Sequence, residues 1–137
     1  RVGTLADIQD FLPDADVVVL ACALNEETRG MAGPRFFEAA REGSLLVNIG
    51  RGGLVDDAAL IAALDSGRLS RAVLDVFHTE PLPPSDPLWA HPKITLTAHT
   101  SFNGSGVRAR WDALFFDNLP RFLRGEALKN EVAPGSL

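Results

Sequence analysis

The chain has 137 residues, 46% hydrophobic and 23% charged, which suits one globular domain with a real core and none of the disordered or fibrous classes. Eighteen acidic against thirteen basic residues give a net charge of −5 with no run of three basic residues, which argues against a nucleic-acid or anionic membrane surface. A single cysteine, Cys22, excludes an intramolecular disulfide framework, no apolar run reaches the roughly 18 residues of a membrane span, and residues 1–15 do not resemble a signal peptide; a cytoplasmic location is expected.

In chain order, Thr4 with Asp7 reads as a capping box opening a helix from Leu5 to Leu12. Asp16 to Ala21 is the first strand, ending at Cys22. Pro34 occupies a first helical position before "RFFEAAREG", which Gly43 closes. Ser44 to Ile49 is the second strand and runs into Gly50, Arg51 and two further glycines. Asp56 caps "DAALIAALDSG", where Leu60, Ile61 and Leu64 share a face and Gly67 is the stop. Ala72 to Phe77 is the third strand. The proline-rich "HTEPLPPSDPLWAHP" has no helical period, and long irregular connections of this kind are often functional. Ile94 to Thr97 is the fourth strand. Gly106 to Leu123 reads as a long helix ended by Gly125; Pro120 inside it predicts a kink or break near Phe116.

The first three strands begin about 28 residues apart, the spacing of strand–helix–strand units. Their near-continuous Val, Leu and Ile content suggests a parallel sheet covered on both faces. In a parallel sheet all carboxyl ends share one edge, where open α/β sheets bind ligands. Cys22, Arg51, Asp75, Glu80 and His99 all fall there. Arginine offers a permanently charged fork for a carboxylate. Histidine exchanges a proton near neutrality, and a glutamate on its far nitrogen fixes the tautomer. Arg51, Glu80 and His99 together suit reduction of a carbonyl next to a carboxylate.

Plainer readings stand beside these. Arg51 alone reads as a surface residue, Glu80 as a solvated loop residue and His99 as a structural histidine. His78 reads as loop packing, His91 as a turn residue, and Trp89 and Trp111 as packing. Cys22 reads as a small buried apolar residue or a cofactor-pocket wall, and Asp75 as a turn cap or a ribose or amide ligand. No metal site is expected. "GSGVRA", Gly104 to Ala109, matches a dinucleotide-binding pattern but does not directly follow a strand, and no strand with an acid about 20 residues on follows it; it is rejected as a pyrophosphate site.

"LVNIGRGGLVDDAALIAAL", "AVLDVFHTEPLP" and "LTAHTSFNG" occur in the order of three signatures of the D-isomer-specific 2-hydroxyacid dehydrogenases, and "NLPRFLRGEALKNEV" is similar to that family's C-terminal end. The chain therefore resembles the second half of the family's nucleotide-binding domain, of the glyoxylate/hydroxypyruvate reductase type. The resemblance implies an incomplete Rossmann-like parallel sheet flanked by helices, lacking the first βαβ half and its GxGxxG loop. Residues 1–104 would form this partial NAD(P)-binding domain. Residues 105–137 would form a C-terminal helix and tail that pack back toward a substrate domain outside the chain.

The resemblance also implies that Arg51 binds substrate, Glu80 orients His99 and His99 is the general acid/base. Cys22, Ile49, Gly50, Asp75, Thr100 and Ser101, with Arg51 and His99, would lie along NAD or NADP. The parent enzyme would pass a hydride between NAD(P)H and a 2-keto or D-2-hydroxy acid, as a homodimer, with no nucleic-acid or membrane partner. The 137 residues alone would be an inactive fragment with little cofactor affinity. Two departures are visible: Ala98 where the family often has proline before the histidine, and Cys22 where many members have threonine or serine. A cofactor-sensing or corepressor-type relative on the same fold is the alternative to the enzyme. An independent flavodoxin-like module is disfavoured by the signatures.

Overall fold

The computed structural model describes residues 1–132; residues 133–137 of the expected tail lie outside the described residues. The chain divides into two compact units, Arg1–His99 and Thr100–Leu137.

The first unit is built on four parallel strands, β1 (Val17–Leu20), β2 (Ser44–Asn48), β3 (Leu69–Leu74) and β4 (Ile94–Leu96), in the spatial order β1-β2-β3-β4. Their carboxyl ends accordingly share one edge. The crossovers carry α2 (Pro34–Ala39) and α3 (Asp57–Asp65). Phe36 and Phe37 of α2, with Leu60 and Leu64 of α3, pack in one core with Leu20, Leu46 and Leu74 of the sheet. Burying each such side chain contributes about 1.5–3 kcal/mol.

The expected cover is uneven over β1. In β1, Val17 and Val19 are 50% and 53% exposed while Leu20, on the other face, is buried. Among the described residues of this unit the helices close one face over β1; the apolar content of the strand is symmetrical, its burial is not.

Local sequence signals mostly hold, and tertiary contacts trim them. Asp56 caps α3, its carboxylate accepting from the Ala59 N–H at 3.0 Å, a bond worth about 1 kcal/mol. The Thr4–Asp7 pairing forms, with Asp7 accepting from the Thr4 N–H at 2.7 Å and the Thr4 hydroxyl at 2.8 Å. The helix behind it is not continuous: one α-turn, α1 (Ile8–Phe11), lies between 3-10 turns at Leu5–Asp7 and Leu12–Asp14. Pro13 has no N–H to donate, and the Leu12 carbonyl accepts instead from Ala15 and Arg41. The same bond ends α2 short of Gly43: Ala40 is buried and extended, and Arg41 pairs through its guanidinium with Asp16 at 2.6 Å. Strand β3 starts three residues earlier than its apolar run, at Leu69, because ladder hydrogen bonds to β2 do not need the exposed Ser70 and Arg71 side chains to be apolar.

The second unit contains α4 (Val107–Leu123), entered from Gly106 at φ 77. It stays helical through Pro120, so the expected break near Phe116 is absent. Phe116 is exposed, and water can satisfy the carbonyl that Pro120 leaves without a donor. Trp111 stacks on Phe102 at 6.4 Å and 11°, yet remains exposed. Asn118 holds the following chain, donating to the Lys129 carbonyl at 3.0 Å and accepting from its N–H at 2.9 Å.

Candidate active site at the carboxyl edge of the sheet

Arg51 stands three residues beyond β2. What fixes its backbone is Asn48, the last residue of that strand and only 1% exposed. The Asn48 amide donates to the Arg51 carbonyl at 2.9 Å, and its oxygen accepts from the Gly50 N–H at 3.1 Å. The chain then makes a 3-10 turn over Gly52–Leu54. A Cβ at Gly52 would overlap the Phe77 carbonyl and the His78 nitrogen, so only glycine lets these two loops meet. On the far side, Gly30 and Ala32 donate to the Gly53 and Leu54 carbonyls at 2.8 and 3.0 Å. The Arg51 side chain is exposed and donates to the Gly50 carbonyl at 2.7 Å.

Glu80 lies in the proline-rich connection after β3. Its Oε1 accepts from the Phe77 N–H at 2.9 Å and its Oε2 from His99 Nδ1 at 2.7 Å. Its carboxyl is held below the usual glutamate range, first by the Phe77 N–H, then by the bond from His99, with a smaller contribution from the charge of Arg51. Of the three side chains read from the sequence as one set, Glu80 and His99 are bonded, and Arg51 stands on the adjoining loop, whose Gly52 abuts the Phe77–His78 backbone.

His99 has φ 51, in the left-handed region. That conformation costs a residue with a side chain roughly 1–3 kcal/mol and tends to occur where function demands it. Here it is retained by the Glu80 bond and by the His99 N–H, which donates to the Asp75 carbonyl at 2.9 Å. The Asp75 carboxylate is itself buried and accepts from the Thr97 hydroxyl. Beside the His99–Glu80 pair opens an apolar pocket of about 580 Å³, lined by Phe77, Leu82, Trp89 and Leu96 among others.

The remaining candidates are distributed as follows. Cys22 is exposed just past β1, which removes the reading of it as a buried apolar residue. Ile49 is 40% exposed at the end of β2. Gly50 is buried; a Cβ there would lie 2.8 Å from Leu54 and 3.0 Å from the Cys22 carbonyl, so β1 and β2 approach closely at this edge. Thr100 and Ser101 are exposed and open the second unit. Trp89 is not core packing: it is 57% exposed and donates to the Pro83 carbonyl at 3.0 Å. His91 holds its turn against α3, with Nδ1 accepting from the Lys93 N–H and Nε2 donating to Asp65, both at 3.2 Å. Sequence reasoning passed over Asn48 and Thr97. The signal for Asn48 was a lone amide ending an apolar strand three residues before an arginine; Thr97 gave none.

The comparisons with known proteins bear on this geometry. A model of the "D-isomer specific 2-hydroxyacid dehydrogenase, NAD binding domain" matches residues 1–101. The chain belongs to this family. It is 39% identical over 128 residues to a glyoxylate/hydroxypyruvate reductase B of Citrobacter koseri, covering 93% of this chain and 40% of the relative. A glyoxylate reductase of Aeropyrum pernix is 34% identical over 91% of this chain and 37% of its own length. The chain thus spans about 40% of the length of the curated relatives it matches.

Among solved structures, a D-isomer specific 2-hydroxyacid dehydrogenase of Xanthobacter autotrophicus in complex with NADPH and MES superposes with a TM-score of 0.84 at 36% identity, over 95% of this chain and 53% of that one. An NADPH-dependent glyoxylate/hydroxypyruvate reductase of Sinorhizobium meliloti with NADP and sulfate gives 0.82 at 30% identity, over 93% and 41%. The fold and the cofactor class read from the sequence, a Rossmann-like parallel sheet and NAD or NADP, agree with these findings. No helix among the described residues is long and apolar enough to cross a membrane.

Proposed function

We propose that the protein to which this domain belongs is an NAD(P)-dependent D-2-hydroxyacid dehydrogenase that reduces a small 2-keto acid of the glyoxylate or hydroxypyruvate type. The observation that carries the reading is the 2.7 Å bond between His99 Nδ1 and Glu80 Oε2, with Arg51 on the adjoining loop, at the carboxyl edge of a parallel sheet. A carboxylate only accepts, so Nδ1 carries a hydrogen and the far nitrogen, Nε2, is the one that exchanges a proton with substrate. Glu80 stays ionised because the Phe77 N–H and the His99 bond both favour its charged form, and its charge steadies the imidazolium. Arg51 anchors the substrate carboxylate through its fork. The His99 imidazolium gives its Nε2 proton to the keto oxygen in reduction, and the bare Nε2 of the neutral ring takes the hydroxyl proton in the reverse direction.

The nicotinamide, when bound, supplies the hydride to the keto carbon. Cys22, Ile49, Gly50 and Asp75, with Thr100 and Ser101, are the residues proposed to lie along the NAD(P) cofactor. The exposed apolar Ile49 and the close approach of β1 and β2 at Gly50 fit a flat ring laid on the backbone. A homodimer in the cytoplasm belongs to the same reading, and α4, with Trp111, Phe115 and Phe122 exposed, is the helix proposed to pack toward the substrate domain outside the chain.

The test uses the full-length protein with NADH or NADPH and glyoxylate, hydroxypyruvate or phenylpyruvate, followed by nicotinamide absorbance. His99→Asn keeps a side chain tolerant of positive φ and is expected to lower turnover by about 10²- to 10⁴-fold with the circular dichroism spectrum unchanged. Unaltered turnover in His99→Asn, or none in the unsubstituted protein with any of these acids, would sink the reading.

A further inference from the structure

His78 lies between the two loops of the site and has no part in the proton transfer. Its Nε2 is 2.8 Å from the Val55 carbonyl. A carbonyl only accepts, so Nε2 carries the hydrogen and donates it. The Asp57 carboxylate is 3.8 Å from the same nitrogen. Val55 closes the 3-10 turn that follows Arg51, its N–H donating to the Gly52 carbonyl at 3.1 Å. At the other end of that turn Gly52 lies directly against the Phe77–His78 backbone. Phe77 in turn gives its N–H to Glu80, which holds His99.

We propose that His78 is a positioning residue that latches the Arg51 loop onto the loop carrying Glu80, and so sets the spacing between guanidinium and imidazole that a bound 2-keto acid must span. The proposal rests on the roles given above to Arg51, Glu80 and His99. Two contacts define the seam: backbone against Gly52 at one end, and the His78–Val55 bond at the other. Remove the second and the Arg51 loop can shift slightly about the first, within the slack left by the Asn48 clasp and the bonds from Gly30 and Ala32. The His78 side chain is half exposed and adds little to the core, so its loss acts on the site more than on the fold. The two loops come from different crossovers, and a misplacement of 1 Å between an anchor and a proton donor is enough to matter in catalysis.

The experiment compares keto-acid KM, cofactor KM, kcat and Tm in the full-length protein and its variants. His78→Ala is expected to raise the keto-acid KM about fivefold, the factor one hydrogen bond sets, with cofactor KM and Tm near their original values. His78→Gln, whose amide N–H reaches the same carbonyl, restores most of it. An unchanged keto-acid KM in His78→Ala overturns the latch, as does a His78→Gln as impaired as His78→Ala. Arg51→Ala, measured in parallel, separates the two levels. If it removes turnover while His78→Ala is silent, the latch falls and the reading of the site stands. If Arg51→Ala is silent, the reading of the site falls and the latch with it. Should His78→Ala fail to fold, the imidazole ¹⁵N spectrum of the unsubstituted protein decides: the Nε2–H form supports the latch, and the Nδ1–H form at neutral pH overturns it.

Discussion

At the end of β2 the backbone around Arg51 is held from within. Asn48 is buried and spends its amide on both sides of the loop, Gly50 and Gly52 are wedged against neighbouring backbone, and none of these contacts titrates. At the end of β4 the opposite holds. His99 and Glu80 are each more than a third exposed, hold one another through a bond between two ionisable groups, and keep His99 in a left-handed conformation. The difference follows from what each group must do. An anchor has to keep its place through the reaction, so its support at the strand end is buried and neutral. A proton carrier has to change charge, so its support is a carboxylate close to solvent.

Breaking the buried side is expected to have the largest effect on stability. Asn48→Ala leaves the buried Gly50 N–H without its partner, at about 1–3 kcal/mol, and takes one bond from the Arg51 carbonyl, which keeps the Leu54 N–H. Urea unfolding would measure the loss, and a change below about 0.5 kcal/mol contradicts the clasp. Next comes Gly52→Ala. The added methyl overlaps the Phe77 carbonyl, and overpacking of this kind costs about 1–3 kcal/mol. The same variant should weaken keto-acid binding because it pushes the Arg51 loop off the Glu80 loop. Full retention of both stability and KM would mean that the loops are not in contact.

The exposed side gives the smallest effect and a different signature. The folded pKa of Glu80 lies below its ordinary value, so the carboxylate contributes stability above the unfolded-state pKa, near 4.3, and loses it as pH falls through the lower folded value. Glu80→Gln should therefore be slightly less stable than the unsubstituted protein at pH 7, with the two converging in the acid range below about pH 4. Parallel stability profiles across that range would show that Glu80 is not held by the Phe77 and His99 bonds. Asn48→Ala, by contrast, should show a deficit independent of pH over the same range, and that contrast sharpens the comparison between the two ends.

Much of this was legible along the chain. The Asp56 cap, the Thr4–Asp7 pairing, four strands in parallel and the placement of Arg51, Glu80 and His99 at one edge rest on local pattern and on the rule that parallel strands share an end. Other features depend on partners distant in sequence. The Leu12 carbonyl takes the Arg41 N–H and cuts α2 short; His78, read as loop packing, bonds a carbonyl 23 positions away; Thr97 reaches the buried Asp75. No periodicity announces such bonds, because they are set by how two loops meet.

By itself the sequence determined which side chains stand at the carboxyl edge, since alternation of strands and helices orders them along the chain and glycine marks where backbone must pass backbone. Only the tertiary structure decided which nitrogen of His99 faces Glu80, which face of β1 is covered, and what holds the Arg51 loop in place. The physical reason is one of range. Helix caps and strand runs are interactions between near neighbours, whereas a clasp, a latch or a covered face exists only when segments that share no local signal are brought within hydrogen-bond or packing distance.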